Sequence, residues 1–241
     1  MTIIRGVSFV FCSGKSSPVF SSVKMSQVLD IAVLPWTAVD LVQRFGAIPL
    51  NRLRTDPSPG EGTEADVIGL RNRENRLCEL VDGVLLEKTV GTYESYLAMR
   101  LGVLLSNFVY EKGLGIVLGA DGMLRLAPGL VRIPDAAYIA LDRLPDGRVP
   151  REPIAAIVPS LAVEVLSASN TVQEMDRKLR DYFTAGVEEV WFVYPVRREL
   201  HRFSSPEHCV VHQGTEVVPS SVLTGFLLNL PELFAEPGPR I

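Results

Sequence analysis

The sequence predicts an α/β domain, on three observations. Leu161–Ser167 and Glu189–Tyr194 are short, nearly continuous apolar runs, the pattern of strands buried on both faces. Between them, Thr171–Ala185 carries Val172, Met175, Leu179, Tyr182 and Phe183 on one helical face and stops at Gly186. Strand, helix and strand in that order predict a right-handed parallel crossover. Upstream, Thr92 caps a longer helix through Lys112, with Tyr93, Leu97, Leu101, Leu104, Leu105 and Phe108 recurring at intervals of three and four and glycines at its end.

The remaining elements follow in order. Residues 1–36 form a leader, expected to be disordered: no periodicity runs through 1–25, and Met25 opens a stretch that reads like an ordinary protein start. Residues 37–75 are an N-terminal helix and linker. Thr37 can cap a helix to Phe45, while Asn51–Glu64 is rich in Pro, Gly and charge. The main domain is expected at 76–235, with a tail at 236–241. Leu77–Glu87 reads as a two-stranded hairpin or a bent strand, with Asp82-Gly83 as the turn signal. Short strands are predicted at Gly115–Leu118 and Gly122–Leu126, and one at Val131–Ala140 interrupted by Pro134. Leu141–Pro159, with four prolines, is a loop. Arg198–Phe203 and Cys209–His212 are outer strands, and Pro231–Phe234 is a short closing helix.

Composition narrows the function classes. A chain of 241 residues with 47% hydrophobic and 22% charged residues supports a substantial core and excludes disorder over most of its length. A net charge of −4 argues against a general nucleic-acid coat. It leaves room for a nuclease, because a bound divalent cation and a local basic groove neutralise a few phosphates. Cys12, Cys78 and Cys209 form no CxxC pair and no disulfide framework, which points to a reducing, cytoplasmic setting. No apolar run approaches the roughly 18 residues that span a bilayer, so no membrane partner is expected. Arg5 and Val7–Cys12 mimic a signal peptide, but the stretch is short and no clear cleavage site follows.

Chemistry enters with Glu164, a carboxylate inside Leu161-Ala162-Val163-Glu164-Val165-Leu166. Burying it is costly unless it binds a cation or is otherwise paired. It either reaches water at the strand end, pairs with an arginine, or holds a metal. Asp135 follows Pro134 in a second strand-like segment. Proline removes a ladder donor, so the strand should be bulged or at an edge there, aiming the aspartate sideways; a turn or cap role is the alternative. Two carboxylates from adjacent strands can converge on one Mg²⁺, which prefers hard oxygen ligands and keeps waters. Lys178, fourteen residues after Glu164, lies beside Tyr182 at the margin of the apolar stripe. It can send its ammonium toward the acids, or snorkel and pair with Glu174.

The ordered set Glu79-Leu80-Val81-Asp82-Gly83, Ile133-Pro134-Asp135, Val163-Glu164-Val165-Leu166-Ser167, Lys178, Tyr182 and Gly186-Val187 resembles the Uma-type restriction-endonuclease family, a branch of the PD-(D/E)XK nucleases. The similarity runs from about Leu77 to Phe234. It implies a restriction-endonuclease-like mixed β-sheet flanked by helices, with Asp135 and Glu164 binding Mg²⁺, or Mn²⁺ in its place, for phosphodiester hydrolysis. In that superfamily the lysine usually lies two residues after the second acid, where this chain has Leu166; Lys178 fits branches that carry it on the next helix. Glu79 matches an acid that adds a metal ligand in some members, and is otherwise a surface strand residue.

Other candidates fall away. Ser13-Gly14-Lys15-Ser16 lacks the first glycine of a phosphate loop, where Phe9 stands. His208 and His212 have no third ligand for zinc, and no GxSxG elbow occurs. Met123 and Tyr138 read as core, and Arg71, Arg73 and Arg76 as a solvated charged segment. The leading expectation is a Mg²⁺-dependent endonuclease that acts on DNA, plausibly as a homodimer. The alternatives are an idle nuclease-fold module that binds nucleic acid or a protein partner, and a hydrolase of some other phosphodiester.

Overall fold

The computed structural model describes residues 36–89, 91–236 and 238. Apart from Trp36, the proposed leader lies outside them, as does most of the tail. A six-stranded mixed sheet is the centre of the fold. Its strands are β3 (Gly115–Leu118), β6 (Ala136–Ala140), β7 (Leu161–Val165), β8 (Glu189–Tyr194), β9 (Glu199–Ser205) and β10 (His208–Gln213). They run in the spatial order β10-β9-β8-β7-β6-β3. β7 and β8 pair parallel, as the crossover through α4 (Val172–Ala185) predicts, and the other pairs are antiparallel.

Side chains alternate across this sheet, and each face has its own core. Tyr138, Leu161, Val163, Val165, Trp191 and Val193 pack with Leu97, Leu101 and Leu105 of α3 (Thr92–Lys112). Ile139, Ala162, Val190 and Phe192 pack with Met175, Leu179 and Tyr182 of α4. Full burial of such a side chain contributes roughly 1.5–3 kcal/mol. Met123 and Tyr138 are buried, as read from the sequence. Glu164 shares the face of Ala162, so its carboxylate is directed to the α4 side of the sheet.

A smaller antiparallel sheet, β2-β1-β5-β4, lies alongside. It is built from β1 (Cys78–Val81), β2 (Val84–Glu87), β4 (Leu124–Ala127) and β5 (Leu130–Arg132). The β1–β2 turn is Asp82-Gly83, both at positive φ (51° and 73°). That geometry gives the tight hairpin its twist. Gly83 is also required by contact, since its carbonyl accepts from the N–H groups of Gly60 and Gly62 at 2.9 and 2.8 Å and a Cβ there would strike Gly60.

Several expectations need correction. The single strand foreseen at Val131–Ala140 is two strands, β5 in the small sheet and β6 in the large one. Pro134 is therefore neither on an edge strand nor in a bulge; it lies in the joint, where no ladder donor is needed, and β6 is flanked by β3 and β7. The cap of α3 is Gly91, with no side-chain hydrogen bond, rather than Thr92. Residues 36–75 belong to the same compact unit as 76–235. They contain α1 (Ala38–Phe45), capped by Thr37 as foreseen, and an unforeseen α2 (Glu64–Glu74), capped by Thr63 with Asp66. A two-stranded ribbon, β11 (Val217–Pro219) with β12 (Leu227–Asn229), was also missed; α5 (Leu230–Leu233) follows it. No helix among the described residues is long and apolar enough to cross a membrane.

Candidate active site

Asp135 sits in the three-residue joint between β5 and β6. Its own N–H donates to Val163 O at 2.9 Å, and the Val165 N–H donates to Asp135 Oδ2 at 2.6 Å. The carboxylate thus takes a ladder position that a strand carbonyl would normally fill, which pins it against the end of β7. Its other oxygen, Oδ1, lies 2.9 Å from Lys88 Nζ. Lys88, just past β2, also donates to Ala120 O at 3.0 Å and to Ile133 O at 2.7 Å.

The β6–β7 register pairs Ala136 with Val163, so the preceding residue, Asp135, falls beside Glu164. Glu164 Oε1 accepts from Lys178 Nζ at 3.0 Å and from the Tyr182 hydroxyl at 2.5 Å. Lys178 and Tyr182 are four apart on α4 and so share a face. Lys178 Nζ also lies 3.0 Å from Glu79 Oε1. Glu79, on β1, accepts in addition from the Ile133 N–H at 3.1 Å and from Arg132 Nη1 at 2.8 Å. Arg132 Nη2 donates to Asp181 at 2.5 Å, and Arg177 Nε holds the other Asp181 oxygen at 2.9 Å. Glu79, Arg132, Glu164 and Lys178 are each at most 5% exposed. The snorkelling alternative for Lys178 is not what forms, because Glu174 is held by Arg52 through two hydrogen bonds of 2.9 and 2.6 Å.

Burial opposes charge on every member of this cluster, and the neighbours decide the outcome. Glu79 is desolvated, but Lys178, Arg132 and the Ile133 N–H outweigh that and hold its pKa down at about 2. Lys178 is likewise desolvated, yet Glu164 and Glu79 raise its pKa, so it stays protonated. Glu164 is shifted upward: burial raises it, Lys178 pulls it down, and Asp135 and Glu79 add like charge. The Tyr182 hydroxyl, buried against these acids, is pushed well above its ordinary value and remains a donor.

The Glu79 shift makes a prediction. A carboxyl depressed in the fold contributes stability above its unfolded value, here 4.5, and loses it as pH falls toward about 2. Urea unfolding of the parent chain and of Glu79→Gln should show a parental advantage at neutral pH that narrows through that window. A constant difference would show that Glu79 does not supply it by charge.

Asp135, Glu164, Lys178, Lys88 and Arg52 line a cavity of about 20 Å³, with Glu79 in its wall. That is room for about one water-sized species. A second cavity of about 90 Å³ shares Lys88 and Asp135 and reaches Gly91, Glu94 and Ser95 at the start of α3. Among the described residues no three His, Cys, Asp or Glu side chains gather as a metal-binding group. Glu79 lies between two cations, with Lys178 and the Ile133 N–H on Oε1 and Arg132 on Oε2, whereas each Asp135 oxygen has a single partner among the described residues, so Glu79 is the least available of the three acids. Glu164 Oε2 accepts no hydrogen bond among the described residues, since Lys178 and Tyr182 both bind Oε1. Mg²⁺ is commonly held by one or two carboxylates with several waters retained. The donor set therefore fits an ion shared by Asp135 and Glu164, and does not fit a three-carboxylate cage.

Sequence reasoning placed Asp135, Glu164, Glu79 and Lys178, and all four come together. It missed Lys88, Arg52 and Arg132. Arg132, within Leu130-Val131-Arg132-Ile133, is the same anomaly as Glu164, a charge in an apolar strand, and could have been found by that signal.

Comparison with known proteins bears on the family and the fold. The model of the Uma2 family, "Putative restriction endonuclease", matches residues 66–231. A crystal structure of a putative nuclease belonging to DUF820 from Anabaena variabilis ATCC 29413 superposes with a TM-score of 0.59. It is 16% identical and covers 66% of this chain and 89% of its own. At that identity the likeness establishes the fold, a mixed α/β architecture with flanking helices. No curated protein matches the chain.

Proposed function

From the premise that this chain belongs to the Uma2 family, we propose that it is a Mg²⁺-dependent endonuclease that hydrolyses DNA phosphodiester bonds. The observation that carries the reading is the meeting of Asp135, just before β6, and Glu164, on the adjacent β7, at one small cleft with a lysine fixed on each. In this reading the two carboxylates hold Mg²⁺, or Mn²⁺ in its place. Such an ion, when bound, lowers the pKa of a coordinated water and offsets charge building on the phosphate.

The protein's own groups then have separate tasks. Tyr182 and Lys178 clamp Glu164 Oε1 and leave Oε2 for ligation. Lys178 stands in for the lysine that Leu166 lacks, as a buried charge facing the developing phosphate charge. One of its N–H groups donates to Glu164 and the ammonium also pairs with Glu79, which leaves a donor for a water or a phosphate oxygen. Glu79 is a positioning residue: it sets where the Lys178 ammonium lies. Around the cleft Arg52, Lys88 and Lys178 balance Glu79, Asp135 and Glu164, so the lining carries no excess of negative charge.

One observation favours a second reading, an idle nuclease-fold module that binds nucleic acid or a partner: both Asp135 oxygens already have protein partners. A magnesium titration that follows DNA binding and plasmid nicking together separates the two. Endonuclease activity predicts nicking that rises with Mg²⁺ and saturates. DNA binding without metal, and no nicking at any Mg²⁺ or Mn²⁺ concentration, overturns the enzyme reading in favour of the idle module.

A further inference from the structure

Lys88 was not singled out by any motif, yet its ammonium is tightly held at the cleft. Three oxygens converge on Nζ: Asp135 Oδ1 at 2.9 Å, Ala120 O at 3.0 Å and Ile133 O at 2.7 Å. Two of the ammonium's three donors are hydrogen-bonded to the carbonyls, and the Asp135 carboxylate faces it as an ion pair. Its side chain is only 8% exposed, and the carbonyls come from two different backbone segments. A carboxylate and two carbonyls meeting at one point are a hard-oxygen set of the kind that takes a cation. Here the cation is part of the chain.

We infer that Lys88 is a built-in cation that occupies what would otherwise be a second metal position beside Asp135, and so limits the centre to a single divalent ion. The inference rests on the metal-binding reading above. The first ion is left Glu164 Oε2 and Asp135 Oδ2, which among the described residues accepts only the Val165 N–H and keeps a lone pair, whereas Glu164 Oε1 is filled by Lys178 and Tyr182. A second ion would have to take Asp135 Oδ1 and the two carbonyls, which Lys88 holds. Two-metal centres place their ions about 3.5–4 Å apart, and a fixed ammonium next to the first ion's ligand acts against that by like charge. Lys88 also neutralises Asp135 when no metal is bound.

The test counts bound Mn²⁺ by electron paramagnetic resonance in the parent chain, Lys88→Met and Lys88→Gln, with thermal unfolding of each across the same Mn²⁺ series. The proposal expects one Mn²⁺ in the parent. It expects a second ion, or at least about tenfold tighter binding of the first, in both variants, with Tm rising more steeply with Mn²⁺ than in the parent, because a ligand that binds only the folded state stabilises it. Lys88→Gln keeps an amide donor for one carbonyl and serves if Lys88→Met does not fold. Equal stoichiometry and affinity in all three overturns the role of Lys88 and leaves the metal reading standing, as does a parent that binds two. A parent that binds none while the variants bind one supports the cation position and sinks the metal reading of the native site. No binding in any of them overturns both.

Discussion

Glu164→Gln loses metal-dependent nicking by about a thousandfold, yet unfolds at a urea concentration no lower than the parent chain. The first half follows from removing a charged ligand: an ion's contribution to charge stabilisation is several kcal/mol, and each ~1.4 kcal/mol is tenfold in rate. The second half follows from burial. Glu164 titrates higher in the fold than in the unfolded chain, chiefly by desolvation, with Asp135 and Glu79 offsetting the help from Lys178. Such a group contributes stability as pH falls, and the fold disfavours its ionised form. The amide removes that cost, its oxygen still accepts from Tyr182 and Lys178, and Lys178 keeps Glu79 as counter-charge. Opposite movements of activity and stability mark a functional group held against the interest of the fold. Nicking that survives in both Glu164→Gln and Asp135→Asn would remove the two acids from the mechanism, and a large stability loss in Glu164→Gln would recast Glu164 as structural.

Arg132→Met loses about 3–5 kcal/mol of stability, the usual consequence of stranding a buried charge. Arg132 is 1% exposed and joins Glu79 to Asp181. Without it Glu79 depends on Lys178 alone for counter-charge, and Asp181 on Arg177. The loss should fall near the lower end of that range, since both acids keep one cation, and since Arg132 Nε is itself buried with no hydrogen-bond partner among the described residues. Urea unfolding of Arg132→Met and of the double variant Arg132→Met/Glu79→Gln measures it. Recovery of part of the loss in the double variant identifies the stranded carboxylate as its source; equal loss in both would assign it to packing.

The sequence was most legible where the signal is local. The end of α3 and both bounds of β8 agree with the structure, because repeating apolar positions or an unbroken apolar run mark them, and α3 is capped one residue earlier than expected. Glu164 was legible for the same reason, as a charge that breaks such a run. α2 was not: only Val67 and Leu70 of its eleven residues are buried, and the caps at Thr63 and Asn75 define it more than any stripe does. A proline in an apolar run signals an edge, a bulge or a joint equally well, and only the pairing of β5 with β1 and of β6 with β7 decides among them. Lys88 and Arg52 were hidden for another reason. Arg52 reaches Glu174 across 122 positions, and such long-range partners leave no periodic trace.

The joint at Pro134 has a bearing on the order of folding. Asp135 and Glu164 belong to the large sheet, whereas Lys88, Glu79 and Arg132 arrive with the small one. A chain with only the large sheet formed would own both acids but would hold neither Asp135 against Lys88 nor Lys178 against Glu79. The centre is thus a late product of assembly, complete only once two separately paired ribbons have closed upon each other, and a nascent or half-unfolded molecule lacks it.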